Sequence, residues 1–121
     1  MSANLQQTIT NAIEDLKGQD VKIIDVTKLS DVMDTLVIVT GTSNRHVKSV
    51  ANNVIEDCKK QGIQPIGVEG MDGGEWVLVD YGDTVVHVML AATRDFYGLE
   101  KLWYMEPAGR KKNQSGSSEQ E

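Results

Sequence analysis

The sequence predicts a single α/β domain, and three observations support this prediction. Its length of 121 residues fits one domain. Strand, helix and strand patterns follow one another between Asp34 and Glu69, which favours a right-handed parallel crossover. Two Val-rich runs on either side of Tyr81-Gly82-Asp83 predict an antiparallel hairpin. Together with an earlier Val- and Ile-rich run, these patterns predict a five-stranded sheet with helices packed on it.

The spacing of apolar residues predicts each element in turn. A first amphipathic helix is indicated by Leu5, Ile9, Ala12, Ile13 and Leu16. A second helix is predicted to begin after Ser43 or Asn44 as N-cap and to end at Gly62. The predicted strands are Val21–Val26, Asp34–Thr40, Pro65–Glu69, Glu75–Asp80 and Thr84–Leu90. A last helix, capped by Thr93 and weakened by Gly98, is predicted to place Phe96, Leu99, Leu102 and Trp103 on one side.

The C-terminal end differs in composition from the rest of the chain. No apolar residue occurs from Gly109 to Glu121, so this stretch cannot bury a core. We therefore expect the folded domain to span residues 1–105 and a disordered polar tail to span residues 106–121.

Bulk composition excludes several classes of protein. The net charge of −6 argues against a general binder of nucleic-acid backbone. The single cysteine, Cys58, excludes an intrachain disulfide and a cysteine-rich zinc site, and its position on the apolar stripe of the second helix predicts a buried thiol. No signal-like segment or membrane-length apolar run is present, so we expect a cytoplasmic protein without a membrane partner.

One interval of the chain carries charge of a single sign. Between Lys60 and Arg94 there is no Lys or Arg, whereas the acids are Glu69, Asp72, Glu75, Asp80 and Asp83. Acids beside Trp76 and Tyr81 are typical of a surface that docks a basic partner. Solvated loop acids that keep a small protein in solution are the alternative interpretation, and the pattern alone leaves both open.

Three features resemble chemical motifs, but each is incomplete. The turn Gly41–Ser43 between a strand and a helix resembles an anion-binding turn, although no Lys follows it as in a P-loop. Asp80 and Asp83 flank the hairpin turn, where Asp more often stabilises backbone donors than binds a metal.

The histidines, His46 and His87, lack a placed carboxylate or thiol partner, and His87 fits a core histidine whose ring is hydrogen-bonded. We therefore predict no catalytic residue, no metal site and no cofactor.

Several motifs in a fixed order closely resemble the RsfS family of ribosomal silencing factors, also called the Iojap family. They are DTLVIVTGTSNRH at 34–46, GVEG at 67–70, WVLVDYGD at 76–83, VVHV at 85–88 and RDFYGLEKLW at 94–103. The resemblance implies an α/β domain with a mixed sheet, similar in shape to nucleotidyltransferases but without their catalytic acids. It also implies binding to large-subunit ribosomal protein L fourteen, which blocks joining of the two ribosomal subunits and represses translation under nutrient limitation or in stationary phase.

The resemblance and the acidic interval together suggest which residues contact the partner. We expect Trp76 to be an aromatic anchor, with Leu78 and Tyr81 adding contact area. Acidic residues for steering and pairing are Glu69, Asp80 and Asp83. We expect Arg94 and Tyr97 at the rim.

Two alternatives belong to other functional classes. The first is a nucleotide-binding or nucleotidyltransferase-like enzyme that uses the Gly41–Ser43 turn for phosphates. The second is a self-associating protein in which the same sheet face forms a homodimer when it is free of the ribosome.

Overall fold

The computed structural model describes residues 2–99 and 101 of the chain. Three helices and five strands, joined by loops, lie within this part. The elements are α1 (Ser2–Asp15), β1 (Gln19–Asp25), β2 (Thr35–Gly41), α2 (Asn44–Lys60), β3 (Gly67–Glu69), β4 (Trp76–Asp80), β5 (Thr84–Leu90) and α3 (Ala91–Tyr97). The predicted hairpin is confirmed as β4 and β5. The predicted tail, residues 106–121, lies outside the described residues.

The strands form one mixed sheet in the order β1-β2-β5-β4-β3. Strands β2 and β5 pair in parallel, and the other neighbours pair antiparallel. Strand β3 therefore runs in the same direction as β2, as predicted for a crossover through α2. However, β5 and β4 lie between them, so α2 carries the chain across the width of the sheet.

The two central strands are apolar on both faces, which is typical of strands with neighbours on each side. Every residue from Leu36 to Gly41 in β2 is buried, and so are most residues of β5. The hairpin strand β4 differs because its side chains alternate between buried and half-buried. This alternation gives the two faces of the sheet different properties.

The helical face is the side of the sheet covered by α1 and α2. Its buried cluster combines α1, α2 and the inward residues of β2, β4 and β5: Leu5, Ile9, Ala12, Ile13, Val37, Val39, Val47, Val50, Ala51, Val54, Cys58, Val77, Val79, Tyr81, Val86 and Val88. Burial of Cys58 in this cluster confirms the predicted buried thiol, whose pKa is raised by desolvation.

The Trp76 face is the opposite side of the sheet, and its residues are set by strand register. Leu78 pairs with His87, which pairs with Ile38, which in turn pairs with Lys22. Its buried apolar residues are Ile24, Val26, Leu36, Ile38 and Met89, with Met33, Trp76, Val85 and Leu99 packed beside them. This cluster is smaller than that of the helical face within the described residues, and α3 packs near β5 and β2 at its edge.

The last helix is interrupted at Gly98, beyond which Leu99 and Lys101 are again helical. Helix α3 follows directly from β5 with Leu90 as its N-cap, so Thr93 lies inside the helix and does not cap it. Gly98 adopts φ +57° and ends α3, and Phe96 within the helix is exposed. Leu102 and Trp103 lie outside the described residues. None of the helices in the described part of the chain is both long enough and apolar enough to span a membrane.

Candidate protein-docking surface

Trp76 opens strand β4 and lies on the Trp76 face. Val77 and Val79 point into the helical core, so the alternating residues Trp76, Leu78 and Asp80 point the other way, where each is half-buried. Trp76 and Leu78 thus share one face of the sheet, as their predicted roles require.

A hydrogen bond to His87 fixes the indole of Trp76. The Nε1–H group of Trp76 donates to Nδ1 of His87 at 2.9 Å, with the ring centroids 5.9 Å apart. An indole nitrogen only donates, so His87 accepts in its neutral form. The imidazole is 6% exposed, and its burial lowers its pKa from 6.5 to about 4. The predicted role of His87 as a core residue with a hydrogen-bonded ring is confirmed.

Two aromatic residues of α3 extend the surface beyond Trp76. The Tyr97 ring lies 4.8 Å from the Trp76 ring between centroids, and Phe96 meets Tyr97 edge-on at 4.9 Å. Tyr97 is 56% exposed and Phe96 is 81% exposed. Such a row of exposed rings on a rigid scaffold is typical of protein contact surfaces. Sequence reasoning included Tyr97 but predicted for Phe96 only a shared helix side with Leu99, Leu102 and Trp103.

Two shallow hollows of about 240 Å³ each lie beside the indole of Trp76. The first hollow is lined by Glu69, Gly70, Trp76 and Leu78. The second is lined by Gly70, Gly73, Glu75, Trp76, Thr93 and Tyr97. Each hollow therefore combines an aromatic wall with one carboxylate. This combination can hold the aliphatic stem of a Lys or Arg side chain while pairing with its charged end.

The loop between β3 and β4 is shaped to approach Trp76 closely. Gly70 adopts φ +85°, and a Cβ atom there would overlap the carbonyl oxygen of Trp76. The amide N–H of Gly74 donates to the Gly70 carbonyl oxygen at 3.0 Å, and Asn44 Nδ2 donates to the Gly73 carbonyl oxygen at 2.8 Å. These bonds tie the loop to the start of α2, so the hollows have a fixed boundary.

The two hairpin acids play different roles. Oδ1 of Asp80 accepts a hydrogen bond from the Gly82 N–H at 2.8 Å, which confirms the turn-stabilising interpretation. The Asp83 side chain is exposed at the turn. The backbone carbonyl oxygen of Asp83 accepts hydrogen bonds from the N–H groups of Asp34 and Thr35. Within the described residues, no group of three or more His, Cys, Asp or Glu side chains is arranged to hold a metal ion.

Tyr81 does not lie on the docking surface, so its predicted contact role is wrong. It is 9% exposed and packs in the helical core with Val77 and Val79. Its burial raises the pKa of the phenol far above its usual range. The sequence carried a signal for this position, because Tyr81 continues the two-residue alternation of Val77 and Val79.

Arg94 is also not at an exposed rim, as sequence reasoning expected. It is 7% exposed, and Nη1 donates to the Asp20 carbonyl oxygen and to Oγ1 of Thr40, both at 2.8 Å. Arg94 thus joins α3 to β1 and β2, and its partners lie too far away in sequence to be read from local pattern.

Internal hydrogen bonds occupy the turn Gly41–Ser43, the suggested nucleotide site. The Thr42 N–H donates to Nδ1 of His46 at 2.8 Å, and the His46 N–H donates to Oγ of Ser43 at 3.0 Å. Nε2 of His46 donates to the carbonyl oxygen of Leu16 at 2.7 Å, which ties the turn to the end of α1. The N–H groups of Thr42 and His46, which a phosphate would need as donors, are therefore already bonded within the turn and the first turn of α2.

Comparison with known proteins gives a consistent family. The sequence profile described as "RsfS: Ribosomal silencing factor during starvation" matches residues 1–121. The chain is 50% identical over 92 residues to the ribosomal silencing factor RsfS of Chromobacterium violaceum, covering 76% of this chain and 75% of that protein. It is 40% identical over 99 residues to RsfS of Haemophilus influenzae, covering 82% of this chain and 97% of that protein.

A solved structure shares the fold. The crystal structure of a protein from Chromobacterium violaceum superposes with a TM-score of 0.83 at 43% sequence identity, covering 92% of this chain and 89% of that chain. The single-domain α/β fold with a mixed five-stranded sheet is thus the fold of a solved relative.

Proposed function

Because the chain belongs to the RsfS family of ribosomal silencing factors, we propose that it binds large-subunit ribosomal protein L fourteen through the Trp76 face. A protein seated there would stand where the small subunit must approach. Joining of the two subunits would then be blocked, and translation would fall under nutrient limitation or in stationary phase. The site of action would be the cytoplasm.

The arrangement around Trp76 is the observation that carries this proposal. The indole is held by His87 and stands between two hollows, each with a carboxylate at its edge. An aromatic anchor held in place before binding loses little conformational entropy when a partner docks. Glu69 and Glu75 are both exposed and can pair with Lys or Arg on a basic ribosomal protein.

The proposed mechanism is steric and requires no cofactor or catalytic residue. Occupancy of the joining surface is sufficient, so affinity and lifetime on the large subunit determine the effect. The alternative enzyme hypothesis loses its main support because the Thr42 N–H group is bonded to His46, and Oγ of Ser43 caps α2 by accepting from the His46 N–H group. Self-association through the Trp76 face stays a prediction, which the oligomeric state of the free protein would test.

A pull-down of large subunits, with and without L fourteen, tests the partner directly. We expect the wild-type chain to retain complete large subunits and not to retain large subunits that lack L fourteen. Trp76→Ala should reduce the free energy of binding to large subunits by at least about 2 kcal/mol, the value typical of an aromatic anchor that is buried by its partner. Equal retention of both kinds of subunit would contradict the choice of partner.

Charge reversal provides a second variant that leaves the indole in place. Glu69→Lys with Glu75→Lys should weaken retention because both exposed carboxylates border the hollows. Glu14→Lys with Glu56→Lys is the matched control, since it changes the net charge equally at exposed helix positions away from the Trp76 face. Equal loss in both pairs would show that only overall charge matters.

A further inference from the structure

Helix α3 carries Phe96 and Tyr97 of the docking surface, but few of its side chains are buried against the sheet. Among the seven residues of α3, all within the described part of the chain, only Arg94 is buried. A helix this short is marginal without tertiary contacts, so its position depends on the groups that it places against the sheet. The contacts of Arg94 therefore decide much of where α3 lies.

The guanidinium of Arg94 is bound from two strands. Nη1 donates to the Asp20 carbonyl oxygen on β1 and to Oγ1 of Thr40 on β2, both at 2.8 Å. Arg94 is 7% exposed and Thr40 is 5% exposed, so the bond between their side chains is shielded from water. A planar guanidinium that binds two acceptors is fixed in orientation as well as in position.

Strand register places Thr40 and Trp76 in one row across the Trp76 face. Both residues pair with Met89 of β5, so they flank it on either side. Neighbouring strands are about 4.8 Å apart, so the row from β2 to β4 spans about 10 Å. A helix with its side chains is about 10–12 Å wide, so one helix can contact both ends of this row.

Residues one turn apart on α3 contact the two ends of the row. Arg94 binds Thr40, and the Tyr97 ring centroid lies 4.8 Å from that of Trp76. Residues three apart are neighbours on a helix surface, so a displacement of one displaces the other. We propose that Arg94 is a positioning residue, which holds Tyr97 against Trp76 and so determines the shape of the docking surface. Its effect on large-subunit binding rests on the proposed function.

Other restraints on this part of the chain act outside α3 or at its exposed side. Leu99 packs on the buried cluster of the Trp76 face, but it lies beyond the interruption at Gly98. Tyr97 is 56% exposed, so the contact between its ring and Trp76 is open to solvent on one side. Within the helix itself, the buried restraint is the one that Arg94 provides.

The contact between the Tyr97 and Trp76 rings can be measured by NMR without any ribosome. The full wild-type chain should show cross-peaks between the two rings, and the indole ring current should displace the Tyr97 signals. Thr40→Val keeps the shape of the side chain but removes the acceptor, and it leaves the other contacts of Arg94 in place. It should weaken the cross-peaks and shift the Tyr97 signals towards those of free tyrosine. Arg94→Lys, which keeps the charge but not the planar group, should do the same.

Val54→Ala is the control for a general loss of stability. Val54 is fully buried in the helical core, so the variant lowers the free energy of unfolding without touching α3. It should leave the cross-peaks and the Tyr97 signals unchanged. Equal changes in Val54→Ala and Thr40→Val would show a general loosening of the fold and would overturn the positioning role.

A double-mutant cycle with large subunits tests whether Thr40 acts through Tyr97. Tyr97→Ala should raise the dissociation constant about tenfold and Thr40→Val about fivefold. The double variant should bind about as weakly as Tyr97→Ala, because without the ring there is nothing left for Arg94 to position. A loss of about fiftyfold, the product of the two, would show independent effects and contradict the proposal.

The two measurements separate failure of this proposal from failure of the proposed function. Unchanged ring contacts in both Thr40→Val and Arg94→Lys would overturn the positioning role, even if Trp76→Ala abolished large-subunit binding. Loss of the ring contacts, with large-subunit binding unchanged in these variants and in Trp76→Ala, would support the positioning role and reject the Trp76 face as the surface that binds the subunit.

Discussion

The two faces of the sheet differ in composition. The helical face is closed by α1 and α2, and its buried cluster is formed by apolar side chains together with Cys58 and Tyr81. The Trp76 face places buried polar groups, His87 and Thr40, among apolar residues. The first arrangement stabilises the fold, whereas the second fixes the orientation of a half-buried indole. The main core and the proposed docking surface thus lie on opposite sides of the same strands.

Strand β4 shows how one short sequence serves both purposes. Val77 and Val79 are fully buried in the helical core, whereas Trp76 and Leu78 are half-buried on the other side. Substitutions at neighbouring positions should therefore affect different properties.

Removing a side chain from the helical face should produce the largest effect on stability. Ile13 is fully buried in that core, so Ile13→Ala should lower the free energy of unfolding by about 2–5 kcal/mol. Leu78→Ala, on the half-buried side of β4, should cost less than about 2 kcal/mol. Urea denaturation of the two variants measures both values. Equal losses would contradict the division between the faces.

Acid should weaken the Trp76 face through His87. The folded chain keeps His87 neutral down to about pH 4, whereas an unfolded His binds a proton below about pH 6.5. The unfolded state therefore binds more protons between these two pH values. The contribution of neutral His87 to the free energy of unfolding is fully present above about pH 6.5 and is lost as the pH decreases. The loss reaches about 3 kcal/mol at pH 4.

His87→Gln provides the reference for this effect, because its amide oxygen can still accept from Trp76. Unfolding free energies of both proteins, measured from pH 7 to pH 4, should diverge in that window. Parallel curves would show that the carboxylates, and not His87, account for the pH dependence.

A change at Gly70 should affect the boundary of both hollows. Gly70→Ala places a Cβ atom against the carbonyl group of Trp76 in a backbone conformation that favours glycine, at a cost of about 1–3 kcal/mol. Gly62→Ala is the control, because Gly62 also has positive φ but open space around it. Large-subunit binding should fall more for Gly70→Ala. An equal decrease in binding for both variants would show that the loop between β3 and β4 does not shape the surface that binds the large subunit.

Charge on the hairpin should have the smallest effect. Asp80→Asn with Asp83→Asn keeps an acceptor for the Gly82 N–H group, so the turn should persist. Association with large subunits should slow by about threefold, with less change in dissociation, because exposed charges mainly steer encounter. Stopped-flow rates in which dissociation changes more would reject the steering role.

Local pattern was sufficient for some parts of this fold. The hairpin and the Ser43 cap of α2 depend on neighbouring residues, and both were predicted within a residue or two. Gly98 was predicted only to weaken a helix. The sequence did not show that Gly98 adopts a left-handed conformation and ends α3. Strand order also could not be predicted, since nothing local places β5 between β2 and β4.

The site was predictable to a similar extent. Trp76 and Leu78 share a face because of simple alternation, which the sequence shows. The hydrogen bond between Trp76 and His87 depends on the register of the hairpin, and the burial of Arg94 depends on Asp20 and Thr40 at distant positions. Tyr81 was misassigned because its chemical type received more weight than its position.

Subunit joining, followed by light scattering, tests the central claim most directly. Large subunits incubated with an excess of the wild-type chain should fail to join small subunits, whereas those incubated with folded Trp76→Ala should join at close to the normal rate. Normal joining in the presence of excess wild-type chain would contradict the account.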